Sequence, residues 1–296
     1  MKAFRNFAAA ILFLAAPAVG VLAQPAAPDI IRPDRHSLMV PANPKLPALF
    51  LIGDSTVRNG QGRGDGGQWG WGDRLAPFFD TNKINVVNRA LGGTSSRTFY
   101  RDRWPAVLAM VRPGDFVILQ FGHNDGSAVN DATRARGTIK GVGDGTQAIT
   151  NLVTKQAEVV HSFGWYEKQI IAEARAKGAT PLVCSLIPRN IWKNGHAVRN
   201  KNDYAGWADE VAKSEHAPFL DLNEIIARQY DRLGPENVKP LFIVGAGPHT
   251  SRAGAETNAA CVIAALKGLK ENPLAKFFSP KADSVAPADL TQAAPE

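Results

Sequence analysis

Five short apolar runs do most to limit what this chain can fold into. Ala48–Ile52, Ile84–Val87, Phe116–Leu119, Pro181–Leu186 and Pro218–Leu222 are nearly continuous in apolar character. They lack the alternation of a strand with one wet face, so both of their faces must be covered. Helical patterns separate them, around Trp69–Phe79, Trp104–Val111, Lys155–Lys177, Tyr204–Lys213 and Asn223–Leu233, with a last one from about Arg252 to Lys267. Gly178, just past Lys177, is a good helix stop. Strands alternating with helices predict an α/β domain: a five-stranded parallel sheet with right-handed crossovers. Residues 125–150, rich in glycine and charge, read as a long surface loop, and loops of that length are often functional.

The ends of the chain have a different character. Lys2 and Arg5 precede an apolar stretch, and Val21-Leu22-Ala23 supplies small residues before Gln24. That is the pattern of a cleavable secretory signal over residues 1–23, which predicts a secreted or periplasmic protein with no membrane attachment after cleavage. Pro17 and Gly20 interrupt the stretch and argue against an anchor. Residues 24–47 hold six prolines and read as an extended lead-in; residues 48–278 suffice for one well-cored domain; residues 279–296 read as a flexible tail. The formal charge is +7, and loss of residues 1–23 removes two of the 34 Lys and Arg residues and no acid, leaving +5. A basic secreted protein suits an acidic polymer, whereas nucleic-acid binding would rest on charge alone and conflicts with secretion. Cys184 and Cys261 lie in apolar segments, so buried free thiols are favoured over a disulfide.

In an open parallel sheet, ligands gather beyond the carboxyl ends of the strands. There the chain places Gly53-Asp54-Ser55-Thr56 after the first run, Asn88 to Thr94 after the second, and Gly122-His123-Asn124-Asp125 after the third. Gly247-Pro248-His249-Thr250-Ser251 leads into the last helix. These are the parts acyl transfer requires. Ser55 is the candidate nucleophile and His249 the candidate base that removes its proton and returns it to the leaving alcohol. The backbone N–H groups of Ser55 and Gly93 and the side-chain amide of Asn124 are candidate oxyanion donors. Singly, each piece has a plainer explanation: a common turn at Gly53–Thr56, a tight turn at Gly92-Gly93, an Asx-turn at Asn124, or a helix cap at 249–251, for which Ser251 is the better candidate. Jointly, at strand ends and in this order, they converge on one chemistry.

Together these residues resemble the SGNH (GDSL-type) hydrolase superfamily, and more narrowly its rhamnogalacturonan acetylesterase-like branch. The resemblance runs from Leu49 to about Leu266. Phe50 to Thr56 is similar to the first block, with the catalytic serine at Ser55. Asn88 to Phe99 is similar to the second, with the oxyanion glycine at Gly93 (Gly92 is the adjacent alternative). Gln120 to Gly126 is similar to the third and is the most specific. His249 to Glu256 is similar to the last, with the catalytic histidine. The resemblance implies a flavodoxin-like three-layer α/β/α sandwich that removes acetyl groups from pectic polysaccharide, with no metal and no organic cofactor.

One position departs from the pattern. Family members carry an aspartate three residues before the histidine, and here that residue is Ala246. Alanine can neither orient the imidazole nor stabilise its positive charge, and loss of the acid in related triads costs on the order of ten-thousand-fold in turnover. Three readings follow: a Ser–His dyad with a backbone carbonyl or water orienting His249, another carboxylate reaching in, or an impaired enzyme; a retained but slower esterase is the favoured expectation. A carbohydrate-binding pseudoenzyme and a GDSL lipase acting on other short-chain esters are the alternatives. For the substrate, Arg134 and Arg136 in the long loop, with Lys140 nearby, and Arg189, Lys193 and Arg199 after the fourth run supply positive charge. Trp192 and Trp165 could stack on sugars, although a solvated basic surface with core tryptophans fits equally well. The expected partner is an acetylated acidic polysaccharide, bound by a monomer. There is no Gly-x-Ser-x-Gly elbow at Ser55, no P-loop or Gly-x-Gly-x-x-Gly turn after a strand, and no zinc-ligand spacing.

Overall fold

The computed structural model describes residue 1 and residues 39–291. The expected signal segment and most of the proline-rich lead-in therefore lie outside the described residues. In chain order the strands are β1 (Ala48–Gly53), β2 (Asn85–Asn88), β3 (Phe116–Gln120), β4 (Thr146–Thr150), β5 (Ala157–His161), β6 (Thr180–Cys184), β7 (Trp192–Lys193), β8 (His196–Ala197) and β9 (Phe219–Leu220). The helices are α1 (Ser96–Asp102), α2 (Trp104–Leu108), α3 (Phe163–Ala176), α4 (Tyr204–Ser214), α5 (Leu222–Leu233), α6 (Pro235–Val238) and α7 (Arg252–Gly268).

Five strands form one parallel sheet in the order β2-β1-β3-β6-β9, so each of the five apolar runs contributes a strand. The side-chain period of two divides each run between two cores. Leu49, Leu51, Phe116, Ile118, Leu182 and Cys184 face one layer with Ile226 and Tyr230 of α5 and Val262 and Leu266 of α7. Ala48, Phe50, Ile52, Val117, Leu119 and Val183 face the other, with Phe99 of α1, Trp104 of α2, Ile170 and Ile171 of α3 and Val211 of α4. The result is the three-layer α/β/α sandwich the runs require. Cys184 and Cys261 are both buried and free.

Several elements differ from expectation. The helix expected over 155–177 begins only at Phe163, capped by Ser162 Oγ, which accepts from the Trp165 N–H at 3.1 Å. Ala157–His161 is instead strand β5, paired antiparallel with β4. The β-branched pair Val159-Val160, one exposed and one buried, suits a strand, and the pairing gives order to the end of the 125–150 segment. The helix expected at Trp69–Phe79 is two 3₁₀ turns, Trp71–Arg74 and Ala76–Phe78, that meet at Leu75, with Gly72 inside the first and Pro77 inside the second. α1, with Ser95 as its cap, was not expected from hydrophobic spacing. Residues 279–291 are not a loose tail. Ala282 is fully buried, Val285 and Ala288 pack on the α5/α7 core, and Lys267 Nζ donates to the carbonyls of Ala282 and Val285 at 2.6 and 2.9 Å. A few alanine and valine contacts suffice to seat a segment whose backbone oxygens find a half-buried donor.

Candidate active site

Ser55 stands on the turn that leaves β1. Gly53 has φ +155° and a Cβ there would lie 2.5 Å from the Gln120 carbonyl oxygen, so only glycine lets β1 and β3 run side by side into this turn. Asp54 Oδ1 then accepts from both the N–H and the hydroxyl of Thr56 at 2.8 Å. Thr56 Oγ1 in turn accepts from Gln120 Nε2 at 2.6 Å, and Gln120 Oε1 from the Trp71 indole at 2.9 Å. This buried chain of donors and acceptors fixes Ser55 against the sheet. Burial pushes the Asp54 carboxyl up to about 6, against the pull of the Thr56 hydrogen bonds and the charges of Arg136 and Arg189.

His249 arrives on the loop before α7. Trp69 N–H donates to the Thr250 carbonyl at 3.0 Å, Thr250 Oγ1 donates to the Trp69 carbonyl at 2.7 Å, and Ser251 caps α7 by accepting from the Gly254 N–H. The outcome is a Ser55 Oγ to His249 Nε2 distance of 2.9 Å across 194 residues of chain. Burial and then the Arg189 charge hold the imidazole below its ordinary value, so it is a neutral base at neutral pH. Among the described residues no carboxylate hydrogen-bonds its Nδ1; the His249 N–H itself donates to the Ala246 carbonyl at 3.4 Å.

The remaining parts share the same cleft, of about 640 Å³, which Ser55, Gly93, Asn124, Arg134, Arg136 and His249 all line. Gly93 has φ +83°, a left-handed conformation that presents the peptide N–H without side-chain strain. Among the described residues no acceptor engages the N–H of Ser55 or of Gly93, which leaves both to whatever enters the cleft. Asn124 Nδ2 gives one hydrogen to the Thr94 carbonyl at 2.7 Å and keeps the other. Asp125, beside it, binds the Ser96 N–H and hydroxyl and the Gly122 N–H; burial pushes its carboxyl up to about 7.

The arginines divide by role. Arg136 is already engaged, donating to the Gly93 carbonyl at 2.7 Å and to Ser127 Oγ at 3.1 Å, so it steadies the glycine turn. Arg134 lies over the same glycine with an exposed side chain. The loop bearing both is tied down by buried Arg97, whose Nη1 donates to the carbonyls of Val129 and Gly137 at 2.7 and 2.8 Å while Nε and Nη2 hold Glu158 at 2.8 and 2.7 Å. Trp192 is not among the residues that line the cleft: it packs on the α5/α7 core and its indole donates to Asn190. Trp165 stacks on His161 at 3.7 Å instead of facing the cleft.

His123 lines the cleft without a role read from the sequence, and there Arg189 is grouped only with the general basic residues. His123, in the Gly122–Asp125 turn, is held neutral with a pKa near 3 by burial, then by the neighbouring charges of Arg189 and His249. Arg189 follows β6 by five residues, and its place beyond a strand's carboxyl end was the signal that could have moved it from the basic surface to the site.

A parallel α/β/α sandwich with a serine hydroxyl on an imidazole at its strand ends defines a class, the carboxylic ester hydrolases built on this fold. The match to known proteins agrees. Residues 51–256 match the GDSL-like lipase/acylhydrolase family, and the chain belongs to that family. It is 32% identical over 229 residues to the "probable rhamnogalacturonan acetylesterase YesY" of Bacillus subtilis, covering 75% of this chain and 92% of that one. It is 29% identical over 195 residues to a rhamnogalacturonan acetylesterase of Emericella nidulans, covering 66% and 74%. The crystal structure of the protein YxiM from Bacillus subtilis superposes with a TM-score of 0.60 at 24% identity, covering 75% of this chain; this chain spans 56% of that one. That likeness shows the fold.

Proposed function

We propose that the protein is a secreted carbohydrate acetylesterase that removes acetyl groups from rhamnogalacturonan-type pectic polysaccharide by a Ser–His mechanism. The observation that carries the mechanism is the 2.9 Å contact between Ser55 Oγ and His249 Nε2 inside a cleft with unengaged N–H donors. His249 Nε2 takes the Ser55 proton as Oγ attacks the acetyl carbon. The oxyanion is met by the Ser55 and Gly93 N–H groups and the Asn124 amide. The imidazolium then protonates the departing sugar oxygen, and the same imidazole activates the water that releases acetate from Ser55. The names of the two esterase relatives support the substrate, and the arginines at the cleft suit a polymer bearing carboxylates. Secretion rests on the pattern of residues 1–23.

Without an acid at position 246 the pair works more slowly than a full triad. The test is acetate release from acetylated rhamnogalacturonan, acetylated xylan and an aryl acetate, beside Ser55→Ala. Release from the pectic polymer that Ser55→Ala abolishes is the expected result. Activity surviving in that variant would remove Ser55 from its role. Polymer binding with no hydrolysis of any ester would favour the binding-protein alternative that Ala246 motivates.

A further inference from the structure

Arg189 sits differently from the other cleft arginines. Arg134 and Arg136 gather at Gly93, whereas a Cβ built on Gly247, two residues before His249, would lie 3.7 Å from Arg189 Nη1. Its guanidinium lines the cleft, and among the described residues it has no side-chain hydrogen bond or ion pair. The loop it touches supplies no acid, because residues 243–248 are Ile, Val, Gly, Ala, Gly and Pro. The one carboxylate whose charge it feels is Asp54, which is fully buried and already accepts from Thr56. A half-buried guanidinium that forms no hydrogen bond or ion pair among the described residues and lines a ligand-sized cleft is suited to an anion, and its planar fork matches a carboxylate in particular.

The chemistry of the site says which part of the substrate carries that anion. The acyl oxygen must point at Ser55, Gly93 and Asn124, while the leaving oxygen must lie within reach of the His249 ring that protonates it. Arg189 is on the His249 side. An acetyl group is in any case too small to extend across the cleft. We infer that Arg189 is a specificity-determining residue that binds a carboxylate on the alcohol portion of the ester, beside the sugar oxygen that departs. The inference rests on the esterase reading above and adds a position and a polarity to it. Once a carboxylate sits on Arg189, the negative charge that Ala246 does not provide comes from the substrate, close to the imidazolium formed during attack. The preference for acidic substrates then falls on kcat as well as on KM.

The experiment uses a matched pair: an acetylated methyl hexoside and its uronate counterpart, identical except for the carboxylate at C6. The full-length protein should prefer the uronate by at least tenfold in kcat/KM at low ionic strength, with the preference shrinking as salt is added. In Arg189→Gln the uronate-to-neutral ratio should fall at least tenfold, and Arg189→Lys should restore part of it. A ratio unchanged in Arg189→Gln, or lost in Arg134→Gln and kept in Arg189→Gln, would overturn the inference while leaving the esterase reading intact. Hydrolysis of neither ester by the unaltered protein would end both.

Discussion

Restoring an acid at position 246 is the perturbation that most directly probes how the imidazole works. The His249 backbone N–H donates to the Ala246 carbonyl at 3.4 Å, so the two residues close one turn of loop, and position 246 is where the resembled family carries its acid. Ala246 is only half-buried and next to exposed residues, so Ala246→Asp adds charge without opening a cavity in the core. A charge-assisted hydrogen bond contributes about 1.5–3 kcal/mol. Because the imidazole becomes positive only as Ser55 attacks, that contribution falls mainly on the transition state, and at 1.36 kcal/mol per decade it corresponds to about 10- to 100-fold in kcat. An increase of at least tenfold on a neutral aryl acetate is therefore expected, read from initial rates at saturating substrate. The converse experiment, Ser55→Ala in the Ala246→Asp background, should return the rate to the residual level of Ser55→Ala alone. No rise in kcat, in a variant whose Tm is unchanged, would mean that His249 is already oriented and charge-compensated, and the reasoning about position 246 would be wrong.

Other outcomes follow from single interactions. In Glu158→Gln the buried Arg97 loses its counter-ion, which costs about 3–5 kcal/mol; Tm should drop on the order of 10 °C, and KM on the polymer should rise because Arg97 also pins the loop carrying Arg134. Burial raises the Glu158 carboxyl, but the hydrogen bonds of Arg97 and Asn151 and the charges of Arg97 and Arg101 bring it to about 2, so its stabilisation is present above about pH 4.5 and is lost as pH falls toward 2, measurable by acid unfolding. The acid limb of kcat/KM should have its midpoint below 6.5, since burial and then Arg189 favour neutral His249; a midpoint above 6.5 in a pH profile would contradict the described surroundings. Glu167 is fully buried with both oxygens lacking a hydrogen bond among the described residues, and burial, then Asp125, raises its carboxyl well above the ordinary range. A raised carboxyl favours the protonated folded state at low pH and loses that advantage as pH rises. Glu167→Gln should therefore gain Tm relative to the unaltered protein on going from pH 5 to pH 8, and a constant difference would refute this.

The linear chain determined the sheet and the identity of the chemical groups. Runs such as Phe116–Leu119, apolar at every position, can be satisfied only between two helical layers, and the residues placed just past them, Ser55, Gly93 and Asn124, together with His249, all line one cleft in the structure. Local period was less informative where short-range preferences are weak. Ala157–His161 reads as the start of a helix until β4 supplies its pairing partner, and residues 279–291 look loose until α7 offers Lys267 and an apolar face. Which arginine serves which purpose was not legible at all, because nothing in the order of residues distinguishes Arg134, Arg136 and Arg189. Tertiary structure committed Arg136 to the Gly93 carbonyl, set Trp192 against the core, and brought Arg189 to the loop of His249 with no acid to meet it. A side chain's chemistry is carried by its own atoms and survives in the sequence. Its role depends on which groups lie within a few ångströms, and those are neighbours in space that only the folded chain selects.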